Sequence, residues 1–462
     1  MVIPGYEAGI DYVNARFPNL HFQHELIFQK SIYSCDVIAD YSVNFAAEFY
    51  YRRKWSASDL VIFSAPNWNV PVVSIVGTSP TISNRKKYPT ALTTAPLNNS
   101  VLANFFKAFL SHFAWTTLCL ICDNNDVVAY YKANCGIIKT ELKRPKFDIH
   151  TVTVDSKKGR DTVDYDAALI TAGQSARVVI ILARSDVTRQ FMVFFYVEPH
   201  TKSNLPEFPN LDWRTGDLND EVARVALTLL IVITFDNGPS IDQLPSKTAA
   251  YIKNRTASQY NFTVPPEQKV SAIAVSAFET TLMFALIANE TVNRPEADHK
   301  PNLNDGASFA KAFLNRTFVL PTENLYVTSG GERYPDILAS QLNSTSGYFE
   351  PVSLYNAQRE ALSRPFGRNY SWPKGTPPAN EPYCGFTGQN PVCREDTQAA
   401  MILALAAVIA VMLCLLPLSR YIMWKLALSD QWWLLDQDPA LLKTPQARRY
   451  SNSTDCLSEG SY

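Results

Sequence analysis

Hydrophobic and polar positions divide this chain unevenly. From Thr397 to Ser419 the run TQAAMILALAAVIAVMLCLLPLS holds no charged residue, with Glu395 and Asp396 before it and Arg420 and Lys425 after it. At about 1.5 Å per residue it is long enough to cross the hydrocarbon core of a bilayer as one helix, which satisfies its own backbone hydrogen bonds. Arg420, Lys425, Lys443, Arg448 and Arg449 follow the run. Positive residues favour the cytoplasmic side, so the pattern predicts the long N-terminal portion outside, a transmembrane helix over 397–419, and a cytoplasmic tail over 420–462.

Upstream, helical and strand periodicities alternate. Leu102, Phe105, Phe106, Phe109, Leu110 and Phe113 mark one helical face, and Thr116 to Ile121 reads as a strand. Asp164 to Thr171 reads as helix, and Arg177 to Leu182 (RVVIIL) as a strand buried on both faces of a parallel sheet. Glu221 to Thr234 and Ala272 to Val292 read as long apolar helices, and His21 and His24 fall on a strand-like run. The predicted class is α/β, and the outer portion is too long for one such unit, so two lobes are expected. Gly367 to Pro382, rich in Pro, Gly and aromatics, reads as a linker.

Charge narrows the function classes. Lys and Arg total 42 against 43 Asp and Glu, well mixed, which gives no electrostatic footprint for nucleic acid. Seven N-x-Ser/Thr sequons, at Asn98, Asn254, Asn261, Asn289, Asn315, Asn343 and Asn369, crowd the outer side, as a glycosylated surface would. Asn452, on the predicted inner side, should stay bare. Of eight cysteines, Cys384 and Cys393 enclose a short loop, CGFTGQNPVC, and are expected to pair. Cys119-x-x-Cys122 lies in a strand, where the two side chains point to nearly opposite faces, so buried strand cysteines are expected there rather than a redox or metal pair. The six histidines have no ligand spacing and no G-x-S-x-G elbow occurs. No cofactor, metal site or catalytic residue is expected.

Several pieces, in order, resemble the ectodomain of receptor-type guanylyl cyclases, the group that includes natriuretic-peptide receptors and a large nematode branch. Tyr6 to Pro18 is similar to the family's first helix, and Trp68 to Ser74 with Gly77 to the strand entering its cleft loop. Tyr88-Pro-Thr90 and Trp115 resemble the passage into the second lobe, and Ala277 to Ala285 a long first-lobe helix. Gly330-Gly-Glu-Arg333 resembles a characteristic turn, and Pro382-Tyr-Cys-Gly-Phe386 through Cys393 the juxtamembrane disulfide loop. The resemblance implies a two-lobed type I periplasmic-binding-protein-like ectodomain over 1–366, with lobe 1 about 1–113 and 240–312 and lobe 2 about 115–238 and 316–358. A linker with the disulfide loop over 367–396 follows. It implies an unidentified extracellular ligand (peptide, small molecule or ion), dimerisation with itself or a family member, and Ser74, Gly77, Thr78 and Ser79 as ligand-cleft candidates.

The chain also departs from that pattern. A first strand is not evident ahead of the first helix, and only Ser64 to Asn69 separate Leu60–Phe63 from Val70–Val76, too few for a parallel crossover. Near Arg189 to Val197 a helix runs straight into a strand. An incomplete gene model or an aberrant splice form is the simplest account. Leu428 to Leu435 resembles the start of the family's kinase-like region, and no cyclase-type metal-binding acids follow. The sequence therefore predicts a single-pass type I cell-surface receptor without the catalytic region. A fragment of a membrane guanylate cyclase and a clearance or decoy receptor are the alternatives.

Overall fold

The computed structural model describes residues 1–26, 48, 52, 69–75, 83–125, 129–157, 159–191, 195–198, 211–266, 268–293, 305–372, 374–388, 390–393 and 397–434. Two compact units divide at residues 387 and 388. The first opens with α1 (Val2–Arg16), followed by β1 (Val72–Ser74) and β2 (Ala91–Thr93). Then come α2 (Asn99–His112), β3 (Thr117–Asp123), α3 (Ala129–Glu141), β4 (Asp148–Val154), α4 (Tyr165–Ser175), β5 (Val178–Leu182), α5 (Ser185–Phe191) and β6 (Phe195–Glu198). The chain continues through α6 (Asp220–Leu227), β7 (Ile231–Phe235), α7 (Gly238–Asp242), α8 (Ser246–Tyr260), α9 (Ala272–Asn293) and α10 (Gly306–Lys311). The strands β8 (Arg316–Val319), β9 (Asn324–Val327), β10 (Ile337–Leu342), β11 (Phe349–Asn356) and β12 (Ala361–Ser363) complete the unit. The second unit contains α11 (Thr397–Leu434). The class is mixed α/β.

Eight strands form the larger sheet in the order β12-β11-β10-β7-β6-β5-β3-β4. The run from β4 to β7 is parallel, and β10, β11 and β12 add antiparallel. Alternation along the strands sorts two cores. Leu118, Leu120 and Cys122 of β3 face α2 and α3 with Val178, Ile180 and Leu182 of β5. Cys119, Ile121, Val179 and Ile181 face α4 and α5 on the other side. A sheet covered on both faces accepts the continuous apolar strands that the sequence contains. The two strand cysteines do lie on opposite faces: Cys119 is free and buried, whereas Cys122 is bonded to Cys135 of α3, with Cα atoms 6.0 Å apart.

A smaller core is built on α9. Phe278, Met283, Phe284 and Ile287 pack with Ala8 and Val13 of α1, Phe309 and Phe313, and Phe318 and Leu325 of the β8–β9 pair. The cores change over between Leu92 and Leu97, earlier than residue 113, because the Phe face of α2 covers the large sheet. Strands β8 and β9 pair with each other rather than with the large sheet, and Phe318, Leu325 and Val327 pack in the smaller core.

Other local readings differ. The helix read over Glu221–Thr234 stops at Leu227, and Ile231 to Phe235 is a fully buried strand, since its β-branched residues pack between β6 and β10. His21 and His24 lie in irregular chain, with His24 Nε2 3.5 Å from Glu7. Helix α5 ends at Phe191 and β6 begins at Phe195, while Leu60–Phe63 lies outside the described residues. The linker is held by packing over its first part. Tyr370 and Trp372 join Phe113 and Trp115, with ring centroids 4.6–6.0 Å apart. Asn380 Oδ1 accepts from the Thr116 and Thr117 amides at 2.6 and 2.9 Å, and Trp115 Nε1 donates to the Pro378 carbonyl at 2.7 Å.

Glycines set the seat of α1 on α9. A Cβ at Gly5 would lie 2.3 Å from the Ala274 carbonyl oxygen, and one at Gly9 2.7 Å from Thr281 Cβ. In α3 a Cβ at Gly136 meets nothing within 4 Å. Gly5→Ala should therefore destabilise the chain, overpacking of about 1–3 kcal/mol outweighing a helix-propensity gain of about 1 kcal/mol. Gly136→Ala should stabilise it by that propensity gain alone. Thermal melts of the two variants in detergent should shift in opposite directions.

Candidate functional site

Three crossovers join the two cores, and they lie side by side. Thr94–Asn98 leads from β2 to α2, Asp236–Asn237 from β7 to α7, and Thr328–Asp336 from β9 to β10. Asn98 accepts the Ser100 and Val101 amides as the N-cap of α2 and donates Nδ2 to the Arg333 carbonyl at 3.0 Å. The Asp236 amide donates to the Asp336 carbonyl at 2.8 Å. The turn Thr328–Arg333 is stitched to β2: Thr93 N donates to Gly331 O at 2.8 Å, and Arg333 N to Thr93 O at 2.8 Å. Gly331 sits at φ +80°, where a Cβ would approach Leu92, Arg85 and the Ala91 carbonyl at 3.0–3.2 Å, so glycine is required.

Arg333 is the centre of this junction. Its guanidinium, with a side chain 4% exposed, meets Glu279 of α9 at 3.2 Å and also Glu323. Glu279 is fully buried and takes a further hydrogen bond from Thr322 Oγ1 at 2.6 Å. Burial raises its carboxyl from 4.5 to about 7, against the pull of Arg333 and with a push from Glu323. Burial likewise raises Asp236, with Asp336 and Glu323 adding to it.

A cavity of about 470 Å³ opens beside this turn. Tyr326, Thr328, Ser329, Gly330 and Glu332 form one wall, and Ser100, at the start of α2, faces it with Ser83. Tyr334 and the β11–β12 turn, through Ala357, Gln358 and Glu360, close the remaining side. The wall is rich in hydroxyls, and its charged groups are the carboxylates Glu332 and Glu360. Sequence reasoning quoted Gly330–Arg333 for its turn but did not single out Glu332 or this cavity. The signal was a Gly-Gly pair followed by two opposite charges; the contribution of Glu360 came from a distant hairpin and left no local mark.

Of the cleft candidates, Ser74 ends β1, half-buried, and its carbonyl accepts from Thr94 N at 2.9 Å and Thr93 Oγ1 at 3.1 Å. Ser74 is not among the residues lining the cavity, and Gly77, Thr78 and Ser79 lie outside the described residues. Among the sequons, Asn254, Asn261, Asn315 and Asn369 are exposed, and Asn289 and Asn343 are half-buried. Asn98 is 6% exposed with its Nδ2 committed to Arg333, so it has no room for a glycan. Cys384 and Cys393 are both disulfide-bonded. No group of three or more potential metal ligands occurs among the described residues.

Among the described residues two helices are long and apolar enough to cross a membrane: α9, which is mostly buried in the smaller core, and the Met401–Leu428 stretch of α11, none of which is buried. Comparison with known proteins matches residues 53–341 to the receptor family ligand binding region, a periplasmic-binding-protein-like domain. The chain is 23% identical over 350 residues to atrial natriuretic peptide receptor 2 of Anguilla japonica, covering 71% of this chain and 32% of that protein. It is 23% identical over 223 residues to the receptors of the same name from Rattus norvegicus and Homo sapiens, covering 47% of this chain and 20% of each. The chain thus aligns with a third or less of the length of these relatives.

The junction makes a test of its own. Arg333→Met leaves Glu279 and Glu323 facing each other without a cation, and should cost about 3–5 kcal/mol in denaturant unfolding. Because the folded state raises the Glu279 carboxyl above 4.5, it holds that proton more tightly than the unfolded chain does. The contribution is full below 4.5 and is lost as pH rises towards about 7. Glu279→Gln should remove that fall from the stability–pH profile. An unchanged slope between those values would contradict the assignment.

Proposed function

This chain belongs to the receptor family ligand binding regions, and on that premise we propose that it is a single-pass cell-surface receptor of the receptor guanylyl cyclase family. The observation that carries the reading is a sequence of parts: a folded α/β ligand-binding region, two disulfide-bonded cysteines, then an apolar helix whose Met401–Leu428 stretch is not buried. An apolar face of that length, exposed on all sides, has lipid as its natural solvent. Helix α9, similar in length, is accounted for as core.

In this reading residues 1–366 form the extracellular ligand-binding region and 367–396 the juxtamembrane segment. Residues 397–419 cross the membrane, and the segment from 420 onward faces the cytoplasm. Helix α11 continues to Leu434, so helical chain leads inward beyond the bilayer. Cys384 and Cys393 bridge each other and stiffen the route to the membrane. The chain binds an extracellular ligand and pairs with a second copy or a family member, which transmits the signal through the membrane helix. Glycans sit at Asn254, Asn261, Asn289, Asn315, Asn343 and Asn369. The matched region is a ligand-binding region, so binding is the activity that this reading gives the chain. A second reading, part of a longer guanylate cyclase, is favoured by the short share of each relative that is matched. A clearance or decoy receptor would share the same outer region.

Two outcomes are expected. Expressed behind a cleavable signal sequence, the chain should reach the cell surface and lose mass on enzymatic deglycosylation, with peptide mapping finding Asn98 and Asn452 bare. Glycan on Asn452 with bare outer sites would invert the orientation. Membranes containing this chain alone should form no cyclic GMP from GTP. Metal-dependent turnover above a mock preparation would refute binding as its sole activity.

A further inference from the structure

We propose that the cavity beside the Thr328–Glu332 turn binds a small molecule through a protonated amine, with Glu332 as its counter-ion and Glu360 as a second carboxylate at the rim. The inference deepens the receptor reading by naming a ligand class for a defined site. A volume of about 470 Å³ suits a small organic ligand.

Glu332 carries the argument. The residue is 5% exposed and lines the cavity. Its backbone is fully engaged: the carbonyl accepts from Thr328 N at 2.9 Å, and the amide donates to Thr328 Oγ1 at 3.3 Å. Its carboxylate, in contrast, has neither a hydrogen bond nor an ion pair among the described residues. A carboxylate on a largely buried residue, opening to the cavity with no cation from the described residues, is a counter-ion that a positively charged ligand could use.

Two of the nearby positive groups are already committed, and a third, Arg359, is exposed on the β11–β12 turn and is not among the lining residues. Arg333, the next residue, is held by Glu279 and Glu323. The Arg85 guanidinium, close to Gly331, donates to the carbonyls of Pro89 and Ala91. The Ser100 and Val101 amides at the start of α2, which would favour an anion, are capped by Asn98. The lining itself has no Lys, Arg or His among the described residues.

The remaining wall fits an ammonium group on an organic body. Tyr326 and Tyr334 offer aromatic faces that attract cations, and the Ser100, Thr328 and Ser329 hydroxyls can accept its hydrogen bonds. Glu332, Glu360 and Tyr326 all act electrostatically on Tyr334, which burial chiefly raises, so the two carboxylates and two rings share one neighbourhood. Glu360 is presented at φ +50°, the left-handed conformation of the β11–β12 turn. Two carboxylates, with no third acidic, Cys or His group beside them among the described residues, make a poor cage for a divalent metal, which takes six or more oxygen ligands.

The test is titration calorimetry on the full chain in detergent with three probes: phenethylamine, its neutral counterpart 2-phenylethanol, and calcium chloride. Phenethylamine should bind saturably and 2-phenylethanol at least about tenfold more weakly, the loss expected for one charge-assisted hydrogen bond. Glu332→Gln should weaken the amine by a similar factor and leave the alcohol unchanged, with Glu360→Gln showing a smaller effect. Melting curves report whether each variant folds; if Glu332→Gln does not, the comparison of amine with alcohol on the unaltered chain still decides. Equal binding of the two organic probes, no amine binding, full amine affinity in folded Glu332→Gln, or calcium binding in place of amine would each overturn the proposal. Surface delivery is read separately, so amine binding can fail while the receptor reading stands.

Discussion

The junction between the two cores depends on one buried guanidinium. Arg333 sits where the chain crosses from the α9 core to the large sheet, and it holds Glu279 on one core element and Glu323 on the β8–β9 hairpin. A fully buried carboxylate such as Glu279 is tolerable only with a partner of opposite charge and satisfied lone pairs. Its partners here are Arg333 and Thr322. The same residue ties its backbone to β2 and to Asn98, the cap of α2. The side chain and the backbone of one residue thus tie two of the three crossovers together.

That arrangement shapes the cavity. The turn leading to Arg333 forms one wall, and Gly331 allows it to press against β2. Arg333 is spent on the junction, and Glu332 beside it lines the cavity without an ion pair among the described residues. The opposing wall comes from the β11–β12 turn, whose strand β11 also carries Ser353, bonded to Tyr370 of the linker at 2.5 Å. A ligand that drew this turn towards the junction would therefore act on the strand against which the linker is anchored. The aromatic cluster of Phe113, Trp115, Tyr370 and Trp372 gives that linker a defined starting point.

Local pattern was enough for much of the architecture. The Phe face of α2, the buried run of β5, the length of α9 and the lipid-like composition of α11 are all readable because each depends on periodicity within a single segment. The opposite facing of Cys119 and Cys122 follows from strand geometry alone. The sequence also placed the Gly330–Arg333 turn, through a short motif whose residue types are tied to backbone shape.

Tertiary structure decided what depends on distant partners. Glu221–Thr234 reads as one helix, yet Ile231–Phe235 becomes a strand because β6 and β10 offer unpaired edges on both sides of it. Asn98 reads as a glycan acceptor, but a backbone carbonyl 235 residues away takes its amide hydrogen. Cys122 finds Cys135 only once α3 lies over the sheet, and the linker aromatics pack only where α2 and β3 meet. The cavity is the clearest case. Glu332 and Glu360 stand apart in sequence, and Arg333, the cation next to Glu332 in the chain, is paired with Glu279, 54 residues before it. Periodicity records which face of a segment is buried; it holds no record of which charge is neutralised by a residue from another element.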